Sequence, residues 1–207
     1  ARAHAAPLAA WHRSTCNRSA DPMGTIEILW IPLGAGQHIV RFSGRVFESL
    51  AALVQRRPVC DLYHSALVVD GPDGRYVIEM TPVPDRHGDR RGVVAEGAVG
   101  SRWLGRLRIF RYEIHRWRDG VIPDADRATA TTTRELAPAD AQRLLELVPE
   151  VPTPVWGRDG LDAGEMWNSN SVTSWILCRA GLDTSGLAPP SGGRAPGWHA
   201  GLVVARH

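Results

Sequence analysis

The composition of this 207-residue chain is that of an ordinary globular protein, because 43% of its residues are hydrophobic and 22% are charged. Its 24 basic residues, all arginine, are nearly balanced by 22 acidic residues, and the formal charge of +2 argues against a nucleic-acid partner. The three cysteines have no CxxC spacing, which indicates neither a zinc site nor a disulfide framework. We therefore expect no metal and no other cofactor.

No stretch of the sequence approaches the roughly 18 apolar residues of a membrane-spanning helix, and none has the pattern of a secretory signal. Together with the sparse cysteines, this predicts a cytoplasmic protein that does not span a membrane. No pattern in the sequence decides the oligomeric state.

The first part of the chain divides at Met23. Residues 1–22 are poorly patterned, and we interpret them either as an N-terminal extension outside the core or as a tail that packs through Leu8 and Trp11. A strand-like run, Thr25–Ile31, follows Met23 directly, and helical spacing of apolar residues marks 44–55. We therefore expect a single α+β domain over residues 23–207.

The clearest element is a β-hairpin. Tyr63–Val69 and Arg75–Thr81 are rich in β-forming residues and are separated by Gly71-Pro72-Asp73-Gly74, a sequence typical of a tight turn. A turn of this length predicts that Asp70 pairs with Arg75. The hairpin would be the centre of an antiparallel sheet.

The later elements alternate strands and helices. Apolar runs predict strands over residues 92–99 and 103–113, and helical spacing predicts helices over residues 137–148 and 171–180. Gly181 is a suitable C-cap for the last helix. The domain would thus be α+β, with a helix near its C-terminus.

His64 and Glu79 are candidate site residues on the two arms of the hairpin. The predicted register places them on one face of the sheet as diagonal neighbours, so the carboxylate can orient the imidazole. An odd-length turn would separate them. The alternative for His64 is a structural role in which backbone groups satisfy its ring nitrogens, whereas a buried Glu79 calls for a specific partner.

A second candidate is the cluster of cap-forming residues at Asn168–Ser171, which begins the last predicted helix. Ser169 or Asn170 can serve simply as an N-cap. Alternatively, a Ser169 nucleophile at a helix N-terminus would gain from free amide donors that stabilise an oxyanion. In that interpretation Asn168 and Asn170 belong to the oxyanion or substrate-binding part of the site.

The order of these residues resembles the circularly permuted branch of NlpC-type papain-like hydrolases, which includes lecithin:retinol acyltransferase. The resemblance covers residues 63–81 and 168–181, where Asn168-Ser169-Asn170-Ser171-Val172 is similar to the family's Asn-Cys-x-x-Phe/Val motif. It implies a papain-like fold with His64 as general base, Glu79 as its orienting group and Ser169 in the position of the nucleophile.

Serine at position 169 departs from the family, whose nucleophile is cysteine. A serine hydroxyl must lose its proton to the base during attack, so the geometry must be accurate. Ser169 is therefore a working nucleophile, an engineered replacement, or a change that left an inactive binding module. Cys60, just before the hairpin, is a minor alternative nucleophile.

The resemblance implies a hydrolase or acyltransferase that cleaves an amide, ester or isopeptide bond of a peptide, lipid or acyl substrate. The alternative is a catalytically inactive papain-like module that binds a peptide or lipid. A third interpretation, a purely structural or interaction protein, would be preferred if His64 and Ser169 lay far apart, so their mutual distance is the most informative observation.

Overall fold

The computed structural model describes residues 23–33, 60–83, 92–122 and 124–207. Two predictions, the N-terminal extension over residues 1–22 and the helix over residues 44–55, lie outside the described residues. The predicted turn at Gly71–Gly74 and all candidate site residues lie within them.

Six antiparallel strands form one sheet in the described part of the chain, in the order β4-β5-β3-β2-β1-β6. The strands are β1 (Gly24–Pro32), β2 (Tyr63–Gly71), β3 (Gly74–Pro82), β4 (Val93–Ala98), β5 (Arg111–Arg118) and β6 (Ala130–Leu136). Three α-helices of the described residues accompany the sheet: α1 (Pro138–Leu147), α2 (Ser169–Arg179) and α3 (Trp198–Ala205). The α+β class, the antiparallel sheet and a helix near the C-terminus are confirmed.

The hairpin has the predicted register. Asp70 pairs with Arg75, and Gly71 pairs with Gly74, which leaves Pro72 and Asp73 as the two turn residues. Gly74 has a φ of 123°, a conformation that glycine adopts without strain. The turn chemistry was therefore sufficient to set the pairing of β2 with β3.

The sheet has two unlike faces. The helical face carries the main core, in which strand side chains such as Tyr63, Leu67 and Val69 pack with residues of the three helices. The opposite face carries a smaller cluster that includes Ala66, Val68 and Val77.

The segment between β5 and β6 covers part of that opposite face. Its Ile122 is buried in the smaller cluster, and Ala128 packs against the same cluster. This connection therefore lies over the ends of side chains that point away from the helices.

One predicted strand lies further along the chain than expected. The strand predicted over residues 103–113 begins only at Arg111 and continues to Arg118, while Leu104–Arg106 and Arg108–Phe110 form short 3-10 turns. In β5 the buried residues Tyr112 and Ile114 alternate with polar ones, whereas the apolar residues before Phe110 are exposed. Hydrophobicity alone was misleading there.

A close approach of α3 to α2 depends on Gly201. A Cβ at this position would lie 2.1 Å from the carbonyl oxygen of Ser171 and 2.1 Å from the Ser174 hydroxyl. We expect Gly201→Ala to lower the free energy of unfolding by about 1–3 kcal/mol, because the two helices must separate. Urea unfolding measures this difference.

The matched control for Gly201→Ala is Gly160→Ala in an exposed loop, where the nearest atom to a Cβ is 3.5 Å away. It should change stability by less than about 0.5 kcal/mol. Equal stabilities of the two variants would contradict the proposed helix contact.

Candidate functional site

The start of α2 is capped by Asn168. Its side-chain oxygen accepts hydrogen bonds from the backbone amides of Asn170 at 2.9 Å and Ser171 at 3.4 Å, while the Ser171 hydroxyl accepts one from the Asn168 amide at 3.1 Å. This reciprocal arrangement is a capping box. It explains why the helix begins at Ser169, two residues before the predicted start.

Asn170 joins α2 to β2 and to the segment before α3. Its side-chain nitrogen donates to the carbonyl oxygens of Tyr63 and Pro196, each at 2.9 Å, and its side-chain oxygen accepts from the Ser65 hydroxyl at 2.9 Å. Its side chain is buried, so these bonds replace water. Asn170 is therefore a structural cross-link between three parts of the chain.

Two serines of α2 extend the same junction toward α3. The Ser171 hydroxyl donates to the carbonyl oxygen of Gly197 at 2.8 Å, and the Ser174 hydroxyl donates to that of Trp198 at 2.8 Å. Both residues are buried. The polar side of α2 thus holds the C-terminal helix in place.

The predicted oxyanion or substrate-binding role of Asn168 and Asn170 does not agree with these contacts. The backbone amides of Asn170 and Ser171, at the helix N-terminus, are already bound to the Asn168 side chain. The side-chain nitrogen of Asn168 donates to the Pro196 carbonyl at 2.8 Å. The N-cap interpretation of the motif therefore accounts for all these polar groups.

Ser169 is the exception within the motif. Its side chain is nearly buried, at 6% exposure, and its hydroxyl makes no hydrogen bond to any described residue. A serine nucleophile needs a base within hydrogen-bond reach. Ser169 has none among the described residues.

His64 and Glu79 lie on the opposite face of the sheet. Val68 of β2 pairs with Val77 of β3, and both belong to the smaller cluster on that face. Because side chains alternate along a strand, His64 shares the side of Val68, and Glu79 shares the side of Val77. The predicted common face of the two residues agrees with the structure.

The predicted convergence of His64 with Ser169 is contradicted by the same alternation. Ser65, the neighbour of His64, points to the helical face and binds Asn170 of α2. His64 therefore points away from the helix that carries Ser169. A triad of Ser169, His64 and Glu79 would require side chains from both faces of one sheet, so it does not form in this arrangement.

Burial changes the titration of both residues. Desolvation lowers the pKa of His64, and the nearby charge of Asp124 opposes this in part. Desolvation, together with a smaller contribution from the charge of Asp124, raises the pKa of Glu79 to about 7. As a result the pKa of Glu79 lies above that of His64, whereas a glutamate ordinarily has a lower pKa than a histidine.

Asp124 was not a predicted site residue. It lies in the connection between β5 and β6, next to the 3-10 turn Ala125–Arg127, and it acts electrostatically on both His64 and Glu79. No local motif marks it in the sequence, because its neighbourhood depends on how the connection crosses the sheet.

Two further ionisable residues flank this group on β5. His115 pairs directly with Glu79 across the strands, and its Nε2 lies 3.3 Å from the Glu113 carboxylate. Glu113 is only 3% exposed. We call His64, Glu79 and Asp124, with His115 and Glu113 beside them, the acid–base cluster.

The described residues contain no group of three or more histidine, cysteine or acidic side chains arranged to hold a metal ion. Within the same ranges, no helix combines the length and apolar character needed to cross a bilayer.

Cys60 is partly buried just ahead of β2, and its role as an alternative nucleophile stays a prediction.

Comparisons of this chain with models of known protein families, with curated proteins and with solved structures found no match. Its function is therefore inferred from the geometry and chemistry of the chain itself.

Proposed function

We propose that the protein is a hydrolase of amide or ester bonds whose catalytic residues are His64 and Glu79, with water and not Ser169 as the nucleophile. The observation that carries this proposal is that the pKa values of His64 and Glu79, which lie on one face of the sheet, are shifted in opposite directions. Burial keeps the His64 imidazole neutral, while Glu79 with a pKa of about 7 still holds a proton near neutrality. Such pairs of oppositely shifted groups are typical of acid–base catalysis.

The proposed reaction is one proton-coupled displacement. His64 takes a proton from a water molecule as its oxygen attacks the substrate carbonyl carbon. Glu79 donates its proton to the leaving nitrogen or oxygen as that bond breaks. The imidazolium and carboxylate that result are reset when the proton returns from His64 to Glu79 through solvent.

Asp124 would support both residues electrostatically. Its charge raises the pKa of each, so it favours the imidazolium that forms on His64 and the protonated state of Glu79 that must precede reaction. An alcohol or amine in the place of the attacking water would make the same centre an acyltransferase.

The papain-like, permuted NlpC-type fold is part of this proposal. The α+β architecture, with α2 starting at an Asn-Ser motif and packing against an antiparallel sheet, supports it. The separation of Ser169 from His64 departs from the site that the resemblance implies, and for this reason the acyl-enzyme route through Ser169 is not proposed.

A second candidate is a catalytically inactive papain-like module that binds a peptide or lipid. A cavity of about 150 Å³ favours it, because the cavity has room for a short apolar group. Its apolar lining comes from β1, the end of β6, α2 and the loop after α2: Ile26, Ile28, Leu136, Leu177, Leu182 and Leu187. In this candidate the acid–base cluster has no catalytic role.

The test is hydrolysis of a panel of short-chain nitrophenyl esters and amino-acid anilides by the parent chain and its variants. Glu79→Gln and His64→Gln should each lower kcat/KM at least about 100-fold, since each removes one proton-transfer group. Ser169→Ala should stay within about twofold of the parent, because its hydroxyl takes no part. Glu150→Gln, at an exposed position in the 3-10 turn after α1, is the matched carboxylate control.

Two results would overturn the proposal. Covalent labelling of Ser169 by a fluorophosphonate would restore the acyl-enzyme route. Absence of hydrolysis across the panel, together with saturable binding of a short acyl or peptide ligand that is weakened by a substitution in the cavity such as Leu182→Arg, would favour the binding module.

A further inference from the structure

Large apolar side chains are exposed together in one short surface segment. Trp103, Leu104, Leu107 and Ile109 are 74%, 42%, 57% and 79% exposed. These four are the majority of the seven large hydrophobic residues that are exposed in the part of the chain that the structure describes. Such a concentration marks an interaction site more often than scattered exposure does. We call residues 100–110 the tryptophan–arginine loop.

The tryptophan–arginine loop is an ordered projection between β4 and β5. The Val99 amide donates to the Phe110 carbonyl at 2.8 Å and closes its base, and the Leu107 amide donates to the Leu104 carbonyl at 2.8 Å. Gly105 lies so close to β4 that a Cβ there would be 2.6 Å from the Ala98 side chain. The fold therefore presents the apolar residues in a defined arrangement.

The charge of the loop is as distinctive as its apolar surface. It contains Arg102, Arg106 and Arg108 and no acidic residue, since the nearest carboxylates in the chain are Glu96 and Glu113. The whole chain has a formal charge of +2. Without the three arginines of the loop, the rest of the chain has a net charge of −1. Arg106 stacks over the Trp103 ring at 4.8 Å, so cation and aromatic surface point outward together.

We propose that the tryptophan–arginine loop docks the protein on the surface of an anionic lipid membrane. Leucine and isoleucine side chains partition favourably into the acyl region of a bilayer, tryptophan prefers the membrane–water interface, and arginines bind anionic headgroups. A single-stranded nucleic acid fits less well, because its bases stack on aromatic rings and, of the four exposed apolar side chains of the loop, Trp103 alone is aromatic. Complementarity in both charge and polarity therefore selects the membrane surface.

This inference is independent of the acid–base cluster, since the loop and the cluster share no residue. Docking would bring the chain to a membrane surface whether or not His64 and Glu79 catalyse hydrolysis. A failure of one proposal leaves the other unaffected.

The test is co-sedimentation of the full chain with vesicles of phosphatidylcholine alone or with about 30% phosphatidylserine. The parent chain should bind the anionic vesicles and release from them as salt is raised. Trp103→Ser combined with Ile109→Ser should reduce the partition coefficient at least about tenfold, since two apolar anchors are lost. Replacing Arg102, Arg106 and Arg108 by glutamine should reduce it about fivefold for each arginine.

Matched controls distinguish docking through the loop from a general attraction between the charge of the chain and the vesicles. Leu161→Ser replaces an exposed apolar residue elsewhere, and a variant with Arg118, Arg143 and Arg206 changed to glutamine loses the same charge from other exposed positions. Both should bind anionic vesicles with little change.

Three outcomes would overturn the proposal. They are no binding of the parent chain to anionic vesicles, equal binding by the loop variants and the controls, and retention by a single-stranded oligonucleotide without vesicle binding. Circular dichroism of each variant establishes that it is folded, so that a loss of binding is assigned to the loop.

Discussion

Glu79→Gln is expected to stabilise the protein by up to about 3 kcal/mol near pH 8, although the residue is a proposed catalytic group. The pKa of Glu79 rises from 4.5 to about 7 because burial disfavours its charged form. A raised carboxyl pKa contributes stability that is fully present below pH 4.5 and is lost as the pH rises through 7. Glutamine is neutral throughout, so the variant avoids the cost of a buried charge above that window.

Urea unfolding of the parent and Glu79→Gln chains near pH 5 and pH 8 measures this effect. The difference in stability should be small at the lower pH and large at the higher pH. His64, Asp124 and the cross-strand neighbour His115 lie beside Glu79, so the pH profiles of Glu79→Gln and Asp124→Asn are compared. A Glu79→Gln variant that is less stable than the parent at pH 8 would show that the carboxylate has a stabilising partner.

Asn170→Ala is expected to lower the free energy of unfolding by about 3 kcal/mol. The substitution removes three hydrogen bonds, two of them buried, and leaves the carbonyl oxygen of Tyr63 and the hydroxyl of Ser65 without this partner. Each buried polar group that loses its partner costs about 1–3 kcal/mol, and the surrounding chain compensates for part of the total. The loss should appear as a lower urea midpoint with an unchanged m-value.

Ser169→Ala is the internal control, because it changes the neighbouring residue, whose hydroxyl makes no hydrogen bond to the described chain. Its effect on stability should be within about 0.5 kcal/mol. If Ser169→Ala destabilised the fold as much as Asn170→Ala, the assignment of the junction to Asn170 would be wrong.

The local parts of this fold were predictable from sequence because local chemistry decides them. The residues Gly71–Gly74 set the register of the hairpin, and the cap-forming run at Asn168–Ser171 marks the start of α2. The shared face of His64 and Glu79 follows from that register alone. These features need no knowledge of distant parts of the chain.

The face against which α2 packs was not predictable in the same way. β2 is apolar on both sides, with Leu67 and Val69 toward the helices and Ala66 and Val68 away from them. A strand buried on both faces has no alternating pattern that would show which side a later helix covers. The distance between His64 and Ser169 depends on that choice, and the predicted triad failed there.

The sequence patterns of β6 and α3 are weak or ambiguous indicators of secondary structure. β6 is an edge strand whose exposed residues alternate with partly buried threonine and arginine, so it has little apolar content. α3 is almost entirely apolar, and a short apolar run of this length does not distinguish a strand from a helix. Its conformation follows from its contact with α2 through Gly201.

The position of β1 in the sheet has a consequence for how the chain folds during synthesis. Leu29 pairs with Ala66 on one side and with Thr131 on the other, so the second ladder closes a loop of about a hundred residues. Until β6 has left the ribosome, β1 keeps one row of unpaired backbone groups, which is a template for pairing with other chains. We therefore expect β1 to be open to pairing with other chains until β6 has been synthesised.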